Sequence, residues 1–129
     1  MHHVRTPYER LGGEESVREL VDRFYDLMDE QGDVTKLRQL HAKNLKVSRE
    51  KLFLFLSGWL GGPDLYVQKY GHPRLRARHL PFSIGIEERD QWLYCMKRAM
   101  QQMGLEEVLQ NELESAFSRT ADFMRNRAE

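Results

Sequence analysis

Ser48-Arg49-Glu50-Lys51-Leu52-Phe53-Leu54-Phe55-Leu56-Ser57-Gly58-Trp59-Leu60-Gly61-Gly62-Pro63 is the stretch on which the fold class turns. Its apolar run from Leu52 to Leu56 can be a buried strand or a buried helix, and periodicity alone does not separate the two. The flanking segments do. Upstream, Val17, Leu20, Val21, Phe24, Tyr25, Leu27 and Met28 recur at spacings of three and four, which is one wide helical stripe. Downstream, Trp92, Cys95, Met96, Ala99, Met100 and Met103 share a face between Glu87 and the breaker Gly104. A last helix carries Leu105, Val108, Leu109, Leu113, Phe117, Thr120, Ala121 and Met124. No partner strand is visible anywhere, so the central run is read as a helix that is apolar nearly all round and deeply buried. Ser48 is its expected cap and Gly61-Gly62-Pro63 its stop. The fold class is all-α, with four main helices expected.

The remaining stretches are punctuation. Pro7 opens a short helix that Gly12-Gly13 ends, and Glu14 and Glu15 suit the positive end of the helix that follows. Gly32 closes that helix, and residues 33–47 read as short helical turns joined by loop. Residues 64–82 form a long, basic, irregular connection containing Gly71, Pro73 and Pro81; a connection of that length is usually functional or holds short helices. No internal repeat or linker divides the chain, so one domain over 1–129 is expected.

Bulk properties narrow the function classes. Of 129 residues, 40% are apolar and 31% charged, with 20 Lys+Arg against 20 Asp+Glu. That balance is ordinary for a globular protein and weakens a nucleic-acid reading, which usually needs a basic excess. Cys95 is the single cysteine, so an intramolecular disulfide and a CxxC metal site are excluded, and a reducing compartment fits. No apolar run reaches the roughly 20 residues that span a bilayer, and residues 1–5 hold no signal-peptide core. A cytoplasmic protein is expected, with His2 and His3 a mobile start rather than ligands.

His79 is the residue singled out first. It lies in Gly71-His72-Pro73-Arg74-Leu75-Arg76-Ala77-Arg78-His79-Leu80-Pro81-Phe82. Neutral imidazole is a good iron ligand, and helical proteins hold heme by one such side chain; composition alone favours the other reading, a surface histidine among arginines. Arg74, Arg76 and Arg78 can pair with propionates, form a solvated basic loop, or bind a phosphate. No aromatic ladder supports a nucleic-acid face, and His72 with His79 lacks the HExxH spacing of a zinc site. Tyr25 and Trp92 lie on inner stripes and bring polar groups that need partners or a polar ligand. Met96, Met100 and Met103 read as core filling.

Pro7-Tyr8-Glu9 with Gly12-Gly13, then Phe24-Tyr25, Gly61-Gly62-Pro63, the run 71–82, and Glu88-Arg89-Asp90-Gln91-Trp92-Leu93-Tyr94-Cys95-Met96 together resemble the group II truncated hemoglobins over almost the whole chain. The resemblance implies a bacterial-type two-on-two helical sandwich around heme b, with His79 as proximal ligand of a pentacoordinate iron. It implies Tyr25 and Trp92 as distal donors, and counting back from Gly61-Gly62 puts Leu52 and Ser48 on the distal helix facing the iron. Where the family usually has phenylalanine or tyrosine, this chain has His41, which adds a titratable group to the distal cage. Phe82 and Met96 match positions that pack on the porphyrin, as do Phe24, Phe55 and Leu75; Arg78, Tyr66 and Lys51 match positions that reach the propionates.

The implied function is reversible binding of O2 and of other diatomic ligands, NO and CO, rather than catalysis. Several donors around a partly negative oxygen slow its release, which suits sensing or scavenging better than delivery. The alternative is a redox enzyme acting on peroxide or nitric oxide, which needs an external reductase. Further possibilities are a helical interaction module without cofactor and a nucleic-acid binder through the arginines; the expected reading has no nucleic-acid and no membrane partner.

Overall fold

The computed structural model describes residues 5–30 and 32–128, and His2 and His3 lie outside them. All regular structure among the described residues is helical. The helices are α1 (Pro7–Leu11), α2 (Glu14–Glu30), α3 (Thr35–Gln39) after a 3-10 turn at Gly32–Val34, α4 (Lys46–Trp59), α5 (Leu65–Tyr70), α6 (Leu75–His79), α7 (Ile86–Met103) and α8 (Glu107–Phe123). The four long ones, α2, α4, α7 and α8, are those the apolar stripes announce.

They form a two-on-two sandwich. α2 packs on α4 in one layer, α7 on α8 in the other, and α2 lies against α7 between the layers. The stripe of α2 is the centre: Val17, Leu20, Val21, Phe24, Tyr25, Leu27 and Met28 are all buried. Cys95, Met96, Ala99 and Met100 of α7 share its core, and Leu109, Leu113 and Phe117 of α8 complete it. Each large apolar side chain in this group contributes about 1.5–3 kcal/mol by leaving water. α4 is buried through Phe53, Leu54 and Leu56, with Leu52 and Phe55 half-buried, so the ambiguous run is helical as read from its neighbours. Its one buried polar residue, Ser57, donates its hydroxyl to the Phe53 carbonyl at 2.9 Å.

The ends differ from the sequence reading in places. Ser48 does not cap α4. The helix starts two residues earlier, at Lys46, whose N–H donates to Asn44 Oδ1 at 2.8 Å. A polar Lys46 and an exposed Val47 gave no apolar signal for that extra half-turn. α7 starts at Ile86 rather than Glu87, with the Gly85 N–H donating to Glu88 Oε1 at 2.8 Å. The irregular 64–82 connection holds two short helices, α5 and α6. α1 is fixed by a Thr6–Glu9 capping box and by the Tyr8 N–H, which donates to the Leu60 carbonyl at 2.9 Å.

Candidate functional site

α6 is a single short helix, entered through Arg74 in the left-handed region at φ 45°. A non-glycine residue there is uncommon and costs on the order of 1 kcal/mol. The Arg74 N–H donates to His72 Nδ1 at 3.1 Å, which helps hold the bend and gives His72 a structural task. One turn later His79 is half-buried, and its Nδ1 lies 2.6 Å from the Leu75 carbonyl. A carbonyl can only accept, so Nδ1 carries the proton and Nε2 keeps its lone pair. Nε2 has no protein partner among the described residues.

Between α2, α7 and the turn after α3, the sandwich brings four rings into one chain. Trp92 of α7 is tilted against Phe24 of α2 with centroids 5.2 Å apart, Phe24 meets Tyr25 edge-on at 5.0 Å, and Tyr25 meets His41 edge-on at 5.8 Å. Phe117 backs Trp92 at 5.5 Å and stacks on Trp59 at 4.8 Å. Tyr25 is buried, and burial pushes its phenol well above the usual tyrosine range despite the nearby Arg49. Tyr25 Oη and Trp92 Nε1 have no protein partner among the described residues, yet neither is among the atoms sealed inside without one. Both therefore still reach the protein surface as free donors.

His41 sits just past α3 with Nδ1 3.0 Å from the Leu37 carbonyl, so its proton is also on Nδ1 and its Nε2 is the bare nitrogen. Burial lowers its pKa, the Leu37 hydrogen bond opposes this, and the charges of Arg38 and His79 lower it further. His79 thus lies within electrostatic reach of His41. The turn that holds His41 is tied to α7, since the Leu37 N–H donates to Gln91 Oε1 at 2.8 Å.

The other expected residues divide. Phe24 and Met96 are fully buried, Phe55, Leu52, Ser48 and Leu75 are half-buried, and Phe82 is exposed. Tyr66 meets Phe55 edge-on at 6.4 Å and Tyr70 at 5.0 Å. Arg78 lies 5.8 Å from the Tyr66 ring and Lys51 Nζ 5.6 Å from the Tyr70 ring, so both cations gather at one aromatic edge. Arg76 does not join them; its guanidinium donates to the carbonyls of Phe123 at 2.6 Å and Arg125 at 3.3 Å. That engagement disfavours the phosphate-patch and nucleic-acid readings of the arginine triplet.

Two contributors had no signal in the sequence reading. Arg49 spans α4 to α2, donating to Asp22 Oδ1 at 3.1 Å and Asp26 Oδ1 at 2.7 Å, with its guanidinium 5.8 Å from the Tyr25 ring. Asn126, beyond α8, bonds to the loop after His79. Two open clefts, one along α2 beside Arg18 and Arg23, the other around Lys43 and Arg49, are lined by neither His79, Tyr25 nor Trp92.

The donor set fits an iron porphyrin better than a bare ion. The imidazoles of His79 and His41 each leave Nε2 bare, the nearby rings are largely apolar with a few polar tips, and two cations stand at one aromatic edge. No group of three or more His, Cys, Asp or Glu suited to a metal ion occurs among the described residues.

Comparison with known proteins gives a consistent picture. A family model described as "Bacterial-like globin" matches residues 6–126. A group 2 truncated hemoglobin of Bacillus subtilis is 42% identical over 123 residues, covering 95% of this chain and 90% of the relative. Among solved structures, the cold-adapted truncated hemoglobin of Pseudoalteromonas haloplanktis superposes with TM-score 0.93 at 44% identity, covering 95% of this chain and 99% of that one. The group II two-on-two hemoglobin of Agrobacterium tumefaciens superposes with TM-score 0.93 at 41% identity, covering 97% of each chain.

Proposed function

The chain belongs to the bacterial-like globin family, in its group II truncated hemoglobin branch, and from that membership we propose that it holds heme b through His79 and reversibly binds O2 and related diatomic gases. The observation that carries this reading is the His79 imidazole, with Nδ1 held by the Leu75 carbonyl and Nε2 unpartnered among the described residues, within electrostatic reach of His41, whose ring meets Tyr25 edge-on.

Heme, when bound, would supply an iron able to take the His79 imidazole and a gas molecule. The residues do the rest. The Leu75 carbonyl fixes the tautomer of His79 and orients the ring, as second-shell acceptors do for metal-bound histidines. Phe24, Phe55 and Met96 supply apolar walls that exclude water, with Leu75 and Phe82 on the His79 side. Arg78 and Lys51, with Tyr66, answer the propionates through charge-assisted bonds. Tyr25 Oη and Trp92 Nε1 are the donors for a polar gas molecule. His41, bare at Nε2, would accept a hydrogen bond there rather than give one, so near neutral pH it is not a further donor beside Tyr25 and Trp92. Leu52 and Ser48 bound the same space from α4. Donors held in a low-dielectric site favour a ligand on which negative charge develops, and they slow its escape. The chain is read as a binding protein; redox turnover on peroxide or nitric oxide would require an outside electron donor. No helix among the described residues is long and apolar enough to cross a membrane, and a cytoplasmic protein fits.

An absorption spectrum after reconstitution with hemin tests the proposal. The wild-type chain is expected to give a sharp heme band at one equivalent, and His79→Gly to lose it or to regain it only with added imidazole. A His79→Gly protein with an unaltered spectrum, or a folded wild-type chain that takes up no hemin, refutes the assignment.

A further inference from the structure

We propose that Asn126 is a positioning residue for the His79 imidazole, acting as a carboxamide clamp on the link between α6 and α7; the proposal rests on the reading of His79 as the iron ligand.

Packing does not place the helix that carries His79. α6 contributes no buried residue, and Leu80, Pro81, Phe82 and Ser83 are all exposed. A segment with so little apolar burial against its own chain depends on hydrogen bonds to hold its shape there. Within the link the Phe82 N–H donates to the His79 carbonyl at 3.0 Å, and the bonds that tie the link to the rest of the chain come from the stretch after α8. Asn126 Nδ2 donates to the Phe82 carbonyl at 2.7 Å and to the His79 carbonyl at 3.3 Å, while its Oδ1 accepts from the Ile84 N–H at 2.9 Å. The Asn126 and Arg127 N–H groups both donate to the Ile84 carbonyl, at 2.9 and 3.2 Å. One side chain therefore grips both ends of the link, from the His79 carbonyl to the buried Ile84. Only a carboxamide can donate twice and accept once in this place; a carboxylate of the same shape can only accept.

The clamp has a firm base. Met124 is buried, and Asp122 receives Arg89 of α7 at 2.7 Å and Arg125 at 3.1 Å. From the other direction, Arg76 of α6 reaches the carbonyls of Phe123 and Arg125, so the His79 helix is strapped to the same stretch on two sides. The bond from Nδ1 to the Leu75 carbonyl lies within α6 and turns with it. The direction in which Nε2 points is thus set by how α6 sits, and that is set by Asn126 and Arg76.

The test uses the heme-loaded full-length chain with Asn126→Asp, Asn126→Ala and Asn126→Gln, and His79→Gly as control. Measured are heme transfer to excess apomyoglobin, the iron–imidazole stretching band of the ferrous protein by resonance Raman, and amide exchange of residues 79–85. Asn126→Asp and Asn126→Ala are expected to lose heme roughly ten-fold faster, a factor suited to losing one or two net hydrogen bonds. They are also expected to shift or broaden the iron–imidazole band and speed exchange at Ile84, with helical circular dichroism unchanged. Asn126→Gln, which keeps the carboxamide, recovers part of each effect. A wild-type band and wild-type heme loss in both Asn126→Asp and Asn126→Ala overturn the clamp while leaving His79 as ligand. A band that survives His79→Gly overturns the ligand assignment itself, whatever Asn126 does.

Discussion

His41 is pulled in opposite directions by burial and by its bond to the Leu37 carbonyl, and burial wins, so its pKa in the folded chain lies below the ordinary imidazole value. A depressed histidine pKa means that the unfolded chain binds the proton more readily. Stability from this residue is then fully present above the unfolded value of about 6.5 and is lost as pH falls through the folded pKa. His41→Phe should flatten the dependence of unfolding free energy on pH just below about 6.5, measured by urea titration at several pH values; an unchanged slope would show that His41 is not the titrating group. Tyr25 and Trp92 call for a different measurement. Each offers one unpartnered donor, so Tyr25→Phe and Trp92→Phe should each raise the oxygen dissociation rate by about ten-fold, the effect of one hydrogen bond in a dry site. Stopped-flow release rates equal to wild type in both variants would refute the proposed role of these two donors. Cys95 is fully buried, and burial pushes its thiol up to about 11. Little thiolate exists at neutral pH, so a thiol reagent should react only as the chain unfolds.

At the scale of elements, what could be read ahead was what repeats locally. The α2 stripe is legible because every third or fourth residue faces one core, and all its apolar members are buried. The α4 run became legible only by elimination, since apolar residues on all sides carry no period. Contacts between distant segments left no local trace. Asn126 meets groups more than forty residues away in sequence, and Arg49 reaches its carboxylates across two helices. His79 itself was legible as a histidine in a basic, proline-bounded segment, but the carbonyl that fixes its tautomer required the α6 turn, which glycine and proline signals hid. Gly61-Gly62 shows the limit most sharply. It reads as a helix stop, and it also seats α1: a Cβ on Gly62 would lie 2.5 Å from carbons of the Tyr8 ring. Gly62→Ala should cost about 1–3 kcal/mol by overpacking, read as a lower urea midpoint. Adding Tyr8→Ala should then cost less than it does in the wild-type background, and strictly additive losses would refute the contact.

Across the whole molecule, zero formal charge conceals an uneven field. Residues 65–86 contain Lys69, Arg74, Arg76 and Arg78 and no Asp or Glu. None of these cations pairs with a carboxylate among the described residues, whereas the salt bridges collect on α2, α4, α7 and α8 or link them to their neighbours. Those exposed pairs contribute little to stability, typically about 0–1 kcal/mol each. The unpaired stretch matters for association instead, because it flanks His79 and faces an incoming dianionic porphyrin with one sign of charge. Raising ionic strength from about 0.01 to 0.5 M shrinks the Debye length from about 30 Å to a few ångströms, so it screens attraction at a distance but not contact. Hemin uptake by the heme-free chain should therefore slow several-fold with salt even though the protein is neutral overall. Lys69→Gln with Arg78→Gln should lower the rate at low salt and flatten the slope, while Lys43→Gln with Lys97→Gln, outside the 65–86 stretch, should leave the slope as it was. Equal slopes in both double variants would mean that capture depends on the pocket alone and that the charge asymmetry has no part in it.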